Sequence, residues 1–398
     1  MIENRQSAPI WLLFLLVSFP QISETIYSPA LPNIAYLLQT NNHLVQRTLS
    51  IYFIGFALGV LAWGRWSENW GRRTMMITGI LFYSLTSLLC LIASGIGWLL
   101  FFRLLQGFAA SCGSILPRTI ALESLTDSER KQYFSTVGFV LALSIALGPF
   151  LGGYLTQWFN WRANFALLVI IGISLLLLAY TCLPETLVKT TEKKPGLRPI
   201  FLLLIKDKYV LASAWLVAAI NGILFSYYAE SPFIFIKIIH LKESQYGHLG
   251  IMIAVAALSG SLILKKLIHH VEANRLFFMG CVIILISSVL LVLSTFSQQI
   301  NAHHKLIATL IIMLPMMGLI VGGFGFVLPI TLNNALKNYH TVLGTAGALF
   351  SLLYYLLIAL LTWIMTLIHN GTIFPMPYYF LLLTLSVMLV FLLGIKSS

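Results

Sequence analysis

The chain has 398 residues, 59% of them hydrophobic and 9% charged, with a mean hydropathy of +0.92. Soluble domains carry about a quarter charged and about half apolar residues, so this composition excludes an ordinary water-soluble protein and makes a bilayer the solvent. A formal charge of +12, from 24 Lys and Arg against 12 Asp and Glu, would suggest a nucleic-acid partner in a soluble protein, but the positions of the charges exclude that reading.

Apolar runs and the breakers between them predict twelve helices, at 9–38, 45–65, 74–95, 97–119, 132–156, 163–183, 209–236, 245–264, 276–296, 305–331, 341–368 and 377–395. The first runs from Ile10 past Pro20 with no small-residue cleavage site, so it reads as a retained helix and not as a signal peptide. Twelve spans use the whole length and leave no sizeable soluble domain. With the N-terminus in the cytoplasm, eighteen basic residues fall on the cytoplasmic side, five on the other and Arg103 inside a helix. This is the positive-inside pattern, with both termini cytoplasmic. The longest polar connection, about Pro184 to Lys208, divides the chain into a six-helix half at 1–186, a linker at 187–208 and a second half at 209–398. An even split of this kind suggests an internal duplication, with a substrate site near the midplane. The fold class is therefore all-α, a polytopic membrane protein of twelve transmembrane helices in two six-helix halves.

Ten of the twelve acids fall in loops or termini, leaving Glu24 and Glu230 inside helices. A charge at the bilayer centre costs about 2.5–3.5 kcal/mol on insertion scales, so such groups face a partner or a wet cavity. Glu24 stands 14 residues beyond Ile10, about 21 Å along a helix, and so near mid-membrane. Pro20 before it and Pro29 and Pro32 after it remove backbone donors and permit a bend. A carboxyl there suits a proton carrier, because changes between dry, wet and paired surroundings load and unload it; the competing role is a structural acid bonded inside the bundle. Arg103, followed by Gln106-Gly107, needs an acid, carbonyls or water, or else snorkels to the near surface. Glu230 lies near the outer end of its helix beside Ser231-Pro232, which leaves a cavity role and a rim position equally open.

The remaining chemistry is sparse. Cys90, Cys112, Cys182 and Cys281 lie far apart in apolar segments and read as packing residues. The nine histidines, among them His269-His270 and His303-His304, fall mostly in loops or at helix ends and form no H-E-x-x-H motif. With no nucleotide loop either, neither an enzyme nor an ATP-driven pump is indicated, and no cofactor or metal is expected.

Several motifs point to one family. Gly64-Arg65-Trp66-Ser67-Glu68-Asn69-Trp70-Gly71-Arg72-Arg73, read as the loop after the second helix, resembles the cytoplasmic G-x-x-x-D-R-x-G-R-R motif of the major facilitator superfamily, with Glu68 for Asp and Asn69 for Arg. Arg103 to Gly107 is similar to its fourth-helix R-x-x-Q-G motif, and Gly148-Pro149-Phe150-Leu151-Gly152-Gly153 to the G-P-x-x-G-G signature of drug/proton antiporters, with Ser144 four positions before it. Tyr27 with Pro29-Ala30-Leu31-Pro32, Trp161-Arg162-Ala163, Leu183-Pro184-Glu185-Thr186, Ser231-Pro232-Phe233 and Gly344-Thr345-Ala346 extend the likeness over about residues 10–390. Together they resemble the Bcr/CflA branch of twelve-helix drug/proton antiporters. That branch has an Asp where this chain has Thr25, and Glu24 stands next to it.

The resemblance implies a central cavity lined by helices 1, 4, 7 and 10, with Glu24, Arg103 and Glu230 on three of them and Met316, Met317, Phe324, Phe326 and the Gly322-Gly323 pair on the tenth. It implies proton coupling or substrate binding at Glu24, Arg103, Glu230, Tyr27 and Gln106. It further implies a conformational latch at Gly64, Glu68, Gly71, Arg72 and Arg73, and an antiporter element at Gly148, Pro149, Gly152 and Gly153. The expected activity is proton-coupled export of drugs or small amphiphilic compounds by alternating access. The alternative is dedicated export, or proton-coupled import, of one metabolite such as a siderophore. The expected partners are a small-molecule substrate, protons and the lipid of a bacterial cytoplasmic membrane, with no nucleic acid and with a monomer as the working unit.

Overall fold

The structure is a computed structural model and describes residues 7–187, 196–297 and 304–393. Twelve of its helices are long and apolar enough to cross a membrane. We label them α1 (Ile10–Leu37), α2 (Asn42–Trp70), α3 (Arg72–Leu91), α4 (Ile96–Ser124), α5 (Asp127–Trp158), α6 (Arg162–Cys182), α7 (Lys208–Ile238), α8 (Glu243–Leu267), α9 (Ala273–Ser294), α10 (Lys305–Tyr339), α11 (Gly344–Ile368) and α12 (Pro375–Leu392). Because consecutive spans run in opposite directions, the bundle has one end at the α2–α3 junction, here the Gly71 end, and a far end at the α1–α2 and α11–α12 junctions.

Four spans are broken, and they recur every third helix. In α1 the α-helix stops at Thr25 and resumes at Leu31 after a 3-10 turn at Ser28–Ala30, where Pro29 supplies no donor. The α4 helix is interrupted at Ser111. The α7 helix passes through Pro232 into a wider π turn at Phe233–Ile238, and α10 does the same at Val321–Val327, a glycine-rich stretch. Discontinuous helices free backbone groups within a span, the usual construction around transporter sites.

Helix ends differ from the sequence reading. The segment 64–73, expected as a loop, is helix as far as Trp70, and the whole connection is Gly71. Gly71 adopts φ +101°, a conformation L side chains rarely take, and a Cβ there would strike the Glu185 carboxylate. The apolar run ends before the helix does, because Ser67, Glu68 and Asn69 can stay helical once they leave the bilayer core. Of the expected linker at 187–208, residues 188–195 lie outside the described residues, and Leu197–Leu204 form a short helix. That helix packs through Ile200 and Leu204 against Val210 and Leu349. Cys90, Cys112 and Cys281 are buried as packing residues, whereas Cys182, at the end of α6, is exposed.

Between the first six and the last six spans, the main packing pairs are α5 with α8 and α2 with α11. The α5–α8 contact is a close backbone approach, since a Cβ on Gly153 would meet the carbonyl of Glu243 and one on Gly247 that of Pro149.

Candidate functional site

Three polar groups buried in the spans define three places in the bundle. Glu24, in the last turn before the α1 break, is 1% exposed, and neither carboxylate oxygen has a hydrogen-bond partner. It lies within electrostatic range of Arg103, Tyr52 and Tyr355. Arg103 is fully buried in α4, with its guanidinium carbon 4.2 Å from the ring centres of both Tyr27 and Tyr52. Such a cation–π sandwich holds a desolvated cation without neutralising it. Its Nη1 donates to Gln106 Oε1 at 2.6 Å, and Gln106 Nε2 donates to Ser87 at 2.8 Å, while Nε and Nη2 remain unbonded. The Ser23, Tyr52 and Tyr83 hydroxyls are buried in the same place. Buried unsatisfied polar groups are few in native proteins, and Glu24 and Arg103 supply four such atoms within electrostatic range of each other. The motif around Arg103 builds the sandwich: a Cβ on Gly107 would meet the Tyr52 carbonyl, so glycine lets α4 close onto α2.

The α5 glycines bear on the same place. A Cβ on Gly148 would strike the Thr25 hydroxyl and one on Gly152 the Ile26 carbonyl. The Gly148–Gly153 element thus seats the α1 break beside Glu24 on one side and meets α8 through Gly153 and Pro149 on the other. Thr25 turns its hydroxyl back to the Gln21 carbonyl at 2.9 Å, so the residue in the family's Asp position is engaged with its own helix.

Glu230 lies in the outer part of its span, as expected, and is fully buried there between spans. Gln46 Nε2 of α2 donates to its Oε2 at 2.6 Å, and His369 Nδ1, at the end of α11, lies 2.7 Å from its Oε1. Around this pair, Asn42 Nδ2 is 3.4 Å from His369 Nε2, Lys237 donates to Asn42 at 3.0 Å, and His43 Nδ1 lies 2.6 Å from the Thr366 carbonyl. Nearby, Ser28 donates to the Tyr228 carbonyl at 2.6 Å. The far end is therefore sealed by polar bonds between the first six and the last six spans. Sequence reasoning missed Gln46 and His369. His369 stands at a helix end and looks like an interfacial residue, and its burial beside an acid 139 positions away has no local signal.

At the Gly71 end, Arg72 is the hub. Its guanidinium meets Glu123 with the closest contact at 2.9 Å and donates to Ser67 Oγ at 2.6 Å. The Glu185 carboxylate accepts from the backbone N–H of Arg72 at 2.7 Å and of Arg73 at 3.2 Å, at the start of α3 where an anion is favoured. Arg73 reaches the Tyr180 carbonyl at 2.7 Å. The acids that hold the basic pair are thus Glu123 and Glu185. Glu68 forms an ion pair with Arg65 on its own helix at 3.5 Å, and Gly64 meets no neighbour that a Cβ would touch.

Between the two sets of six spans lies a cavity of about 310 Å³, lined from α1, α4, α5, α7, α8, α10 and α11. A second chamber of about 420 Å³ shares Ser114, Arg118 and Tyr354 with it and extends to Arg65 and Arg72 at the Gly71 end. Phe324 lines the first chamber as expected, but Glu24, Arg103, Glu230, Met316, Met317 and Phe326 line neither. The charges lie behind the wall because α1 turns its Gln21 face inward and its Glu24 face toward α2 and α4.

Comparison with known proteins agrees with this architecture. The Major Facilitator Superfamily family model matches residues 13–362. An uncharacterized transporter of Rickettsia bellii is 32% identical, covering 95% of this chain and 94% of that protein. A bicyclomycin resistance protein homolog of Haemophilus influenzae is 26% identical, over 73% of this chain and 75% of that protein. Among solved structures, a D-xylose-proton symporter superposes with a TM-score of 0.75 at 15% identity, over 94% and 95% of the two chains, which shows the shared fold. The chain is a membrane transporter that belongs to the major facilitator superfamily.

Proposed function

We propose that the protein is a proton-coupled exporter of small amphiphilic compounds, drugs among them. It works as a monomer in a bacterial cytoplasmic membrane with both termini in the cytoplasm. The observation that carries this reading is Glu24: a buried acid in a broken helix, with no hydrogen bond to either oxygen and an under-bonded arginine within electrostatic range. Such an acid can hold a proton in one packing and trade it for the Arg103 guanidinium in another. The Gly148–Gly153 element of α5 links that exchange to motion, because it touches the α1 break and α8 together. The first six and last six spans rock about the central cavity, with the Glu230 cluster joining them at the far end and the Arg72 cluster tying the first six together at the Gly71 end. The drug component rests on the likeness to the bicyclomycin resistance protein homolog.

The test uses purified protein in liposomes with an internal pH dye and an imposed proton gradient. Proton flux on addition of a transported compound, lost in Glu24→Gln, is the expected result. An unchanged flux in Glu24→Gln overturns the assignment of Glu24, and silence across a broad compound panel with folded protein overturns the exporter.

A further inference from the structure

Arg118 is the one charged side chain common to the walls of the two chambers. The inner chamber is lined by one charged side chain, Arg118, with Gln21, Asn221 and Ser261 as neutral polar groups and no Asp or Glu. The outer chamber adds Arg65, Glu68 and Arg72, but Glu68 pairs with Arg65, and Arg72 pairs with Glu123. Arg118 belongs to both chambers and is exposed in them, and among the described residues no carboxylate or carbonyl bonds it. Its charge reaches Tyr133 and Tyr355. Glu24 and Glu230, the two acids buried within the spans, line neither chamber. The inner chamber is also lined by aromatic rings: Phe225, 4.4 Å from the Phe53 ring behind it, and Tyr355, 4.6 Å from both Phe56 and Tyr354.

An unpaired guanidinium beside an apolar aromatic wall is costly for a cation to approach and favourable for an acceptor that fits its planar fork. A chamber of about 310 Å³ is at the small end of ligand sites. We propose that the transported compound is an amphiphile with an anionic head, a carboxylate, sulfonate or phosphate, bound by Arg118 while its apolar body lies against Phe225 and Tyr355. This inference rests on the transport reading above and narrows its cargo. It has an electrical consequence. One proton moving inward in exchange for one monoanion moving outward carries two charges down a negative-inside potential, whereas exchange with a monocation is electrically silent.

Matched sets of compounds that share one aromatic or aliphatic body, as carboxylate, carboxamide and methylammonium, test it. Binding to the full chain is measured by equilibrium dialysis with protein-free micelles as the blank, and exchange in the pH-dye liposomes with the potential set by potassium and valinomycin. Carboxylate members are expected to bind best. Arg118→Gln weakens them about tenfold or more while leaving the carboxamides within about twofold, and Arg118→Lys, a check on folding, retains part of the binding. Exchange of the carboxylates speeds up when the inside is made negative.

Equal or better binding of the methylammonium members, no binding of any carboxylate, or carboxylate binding unchanged in Arg118→Gln overturns the proposal. An anionic lipid headgroup offers Arg118 the same chemistry, so binding is repeated with short-chain phosphatidylglycerol; lipid that no carboxylate displaces also overturns it. The two readings fail separately. Arg118-dependent carboxylate binding without proton flux removes the exporter and keeps the anion site, while proton flux driven only by methylammonium members does the reverse.

Discussion

Glu24 in α1 and Glu230 in α7 are both buried acids just ahead of a Ser-Pro step, yet their surroundings are opposite. Glu230 has both oxygens engaged, one by Gln46 and one by His369, in bonds that join the first six spans to the last six. Glu24 has neither oxygen engaged and stays within the first six spans, near an arginine held on two tyrosine rings. A charge in an apolar span is thus not one kind of signal. On the proposed function, the saturated acid holds a contact and the unsaturated one beside a cation changes state. The comparison predicts that the two acids separate by experiment into a seal and a carrier.

The largest difference is expected in transport. Glu24→Gln reduces proton exchange to the level of empty liposomes, whereas Glu230→Gln retains exchange; equal losses would break the distinction. Stability should move the other way. Leaving a buried hydrogen-bond partner unsatisfied costs about 1–3 kcal/mol, and Glu230 has two such partners, so Glu230→Ala lowers the thermal unfolding temperature in detergent well below that of the parent. Glu24→Gln removes no hydrogen bond and leaves it within the scatter of neutral substitutions, about 0.5 kcal/mol.

A smaller effect tests the support of Glu24. Gly148→Ala sets a methyl group against the Thr25 hydroxyl and should cost about 1–3 kcal/mol by overpacking, with a partial loss of exchange. Unchanged exchange would detach the α5 element from the α1 break. The smallest effect concerns a residue in neither network. Cys182 is exposed and the other three cysteines are buried, so a maleimide added to the folded protein should label Cys182 ahead of the rest, and Cys182→Ser should leave both stability and exchange unchanged.

The twelve spans are legible in the sequence because a run of some twenty apolar residues has one stable solution in a bilayer. Glu24 and Arg103 are legible for the same reason, as charges where charge is expensive. Partnership is what the sequence hides. Gln46 and His369 are ordinary polar residues near helix ends, 184 and 139 positions from Glu230, and only packing brings them to it. Arg118 lies six residues before the end of α4 and reads as one more positive-inside charge, although it faces the cavity. The Arg72 cluster reaches beyond its motif: Glu185 and Glu123, from segments outside it, bond Arg72. Rotation about a helix axis, about 100° per residue, decides which charges face the cavity, and the Pro-broken helix around Glu24 obscures that phase.

The most direct test of the central claim is proton release on substrate binding, read with a pH dye in weakly buffered detergent solution for the parent, Glu24→Gln and Glu230→Gln. If Glu24 is the exchanging acid, the parent and Glu230→Gln release about one proton for each molecule bound and Glu24→Gln releases none. Release that survives in Glu24→Gln and disappears in Glu230→Gln would contradict the account and move the carrier to the far-end pair.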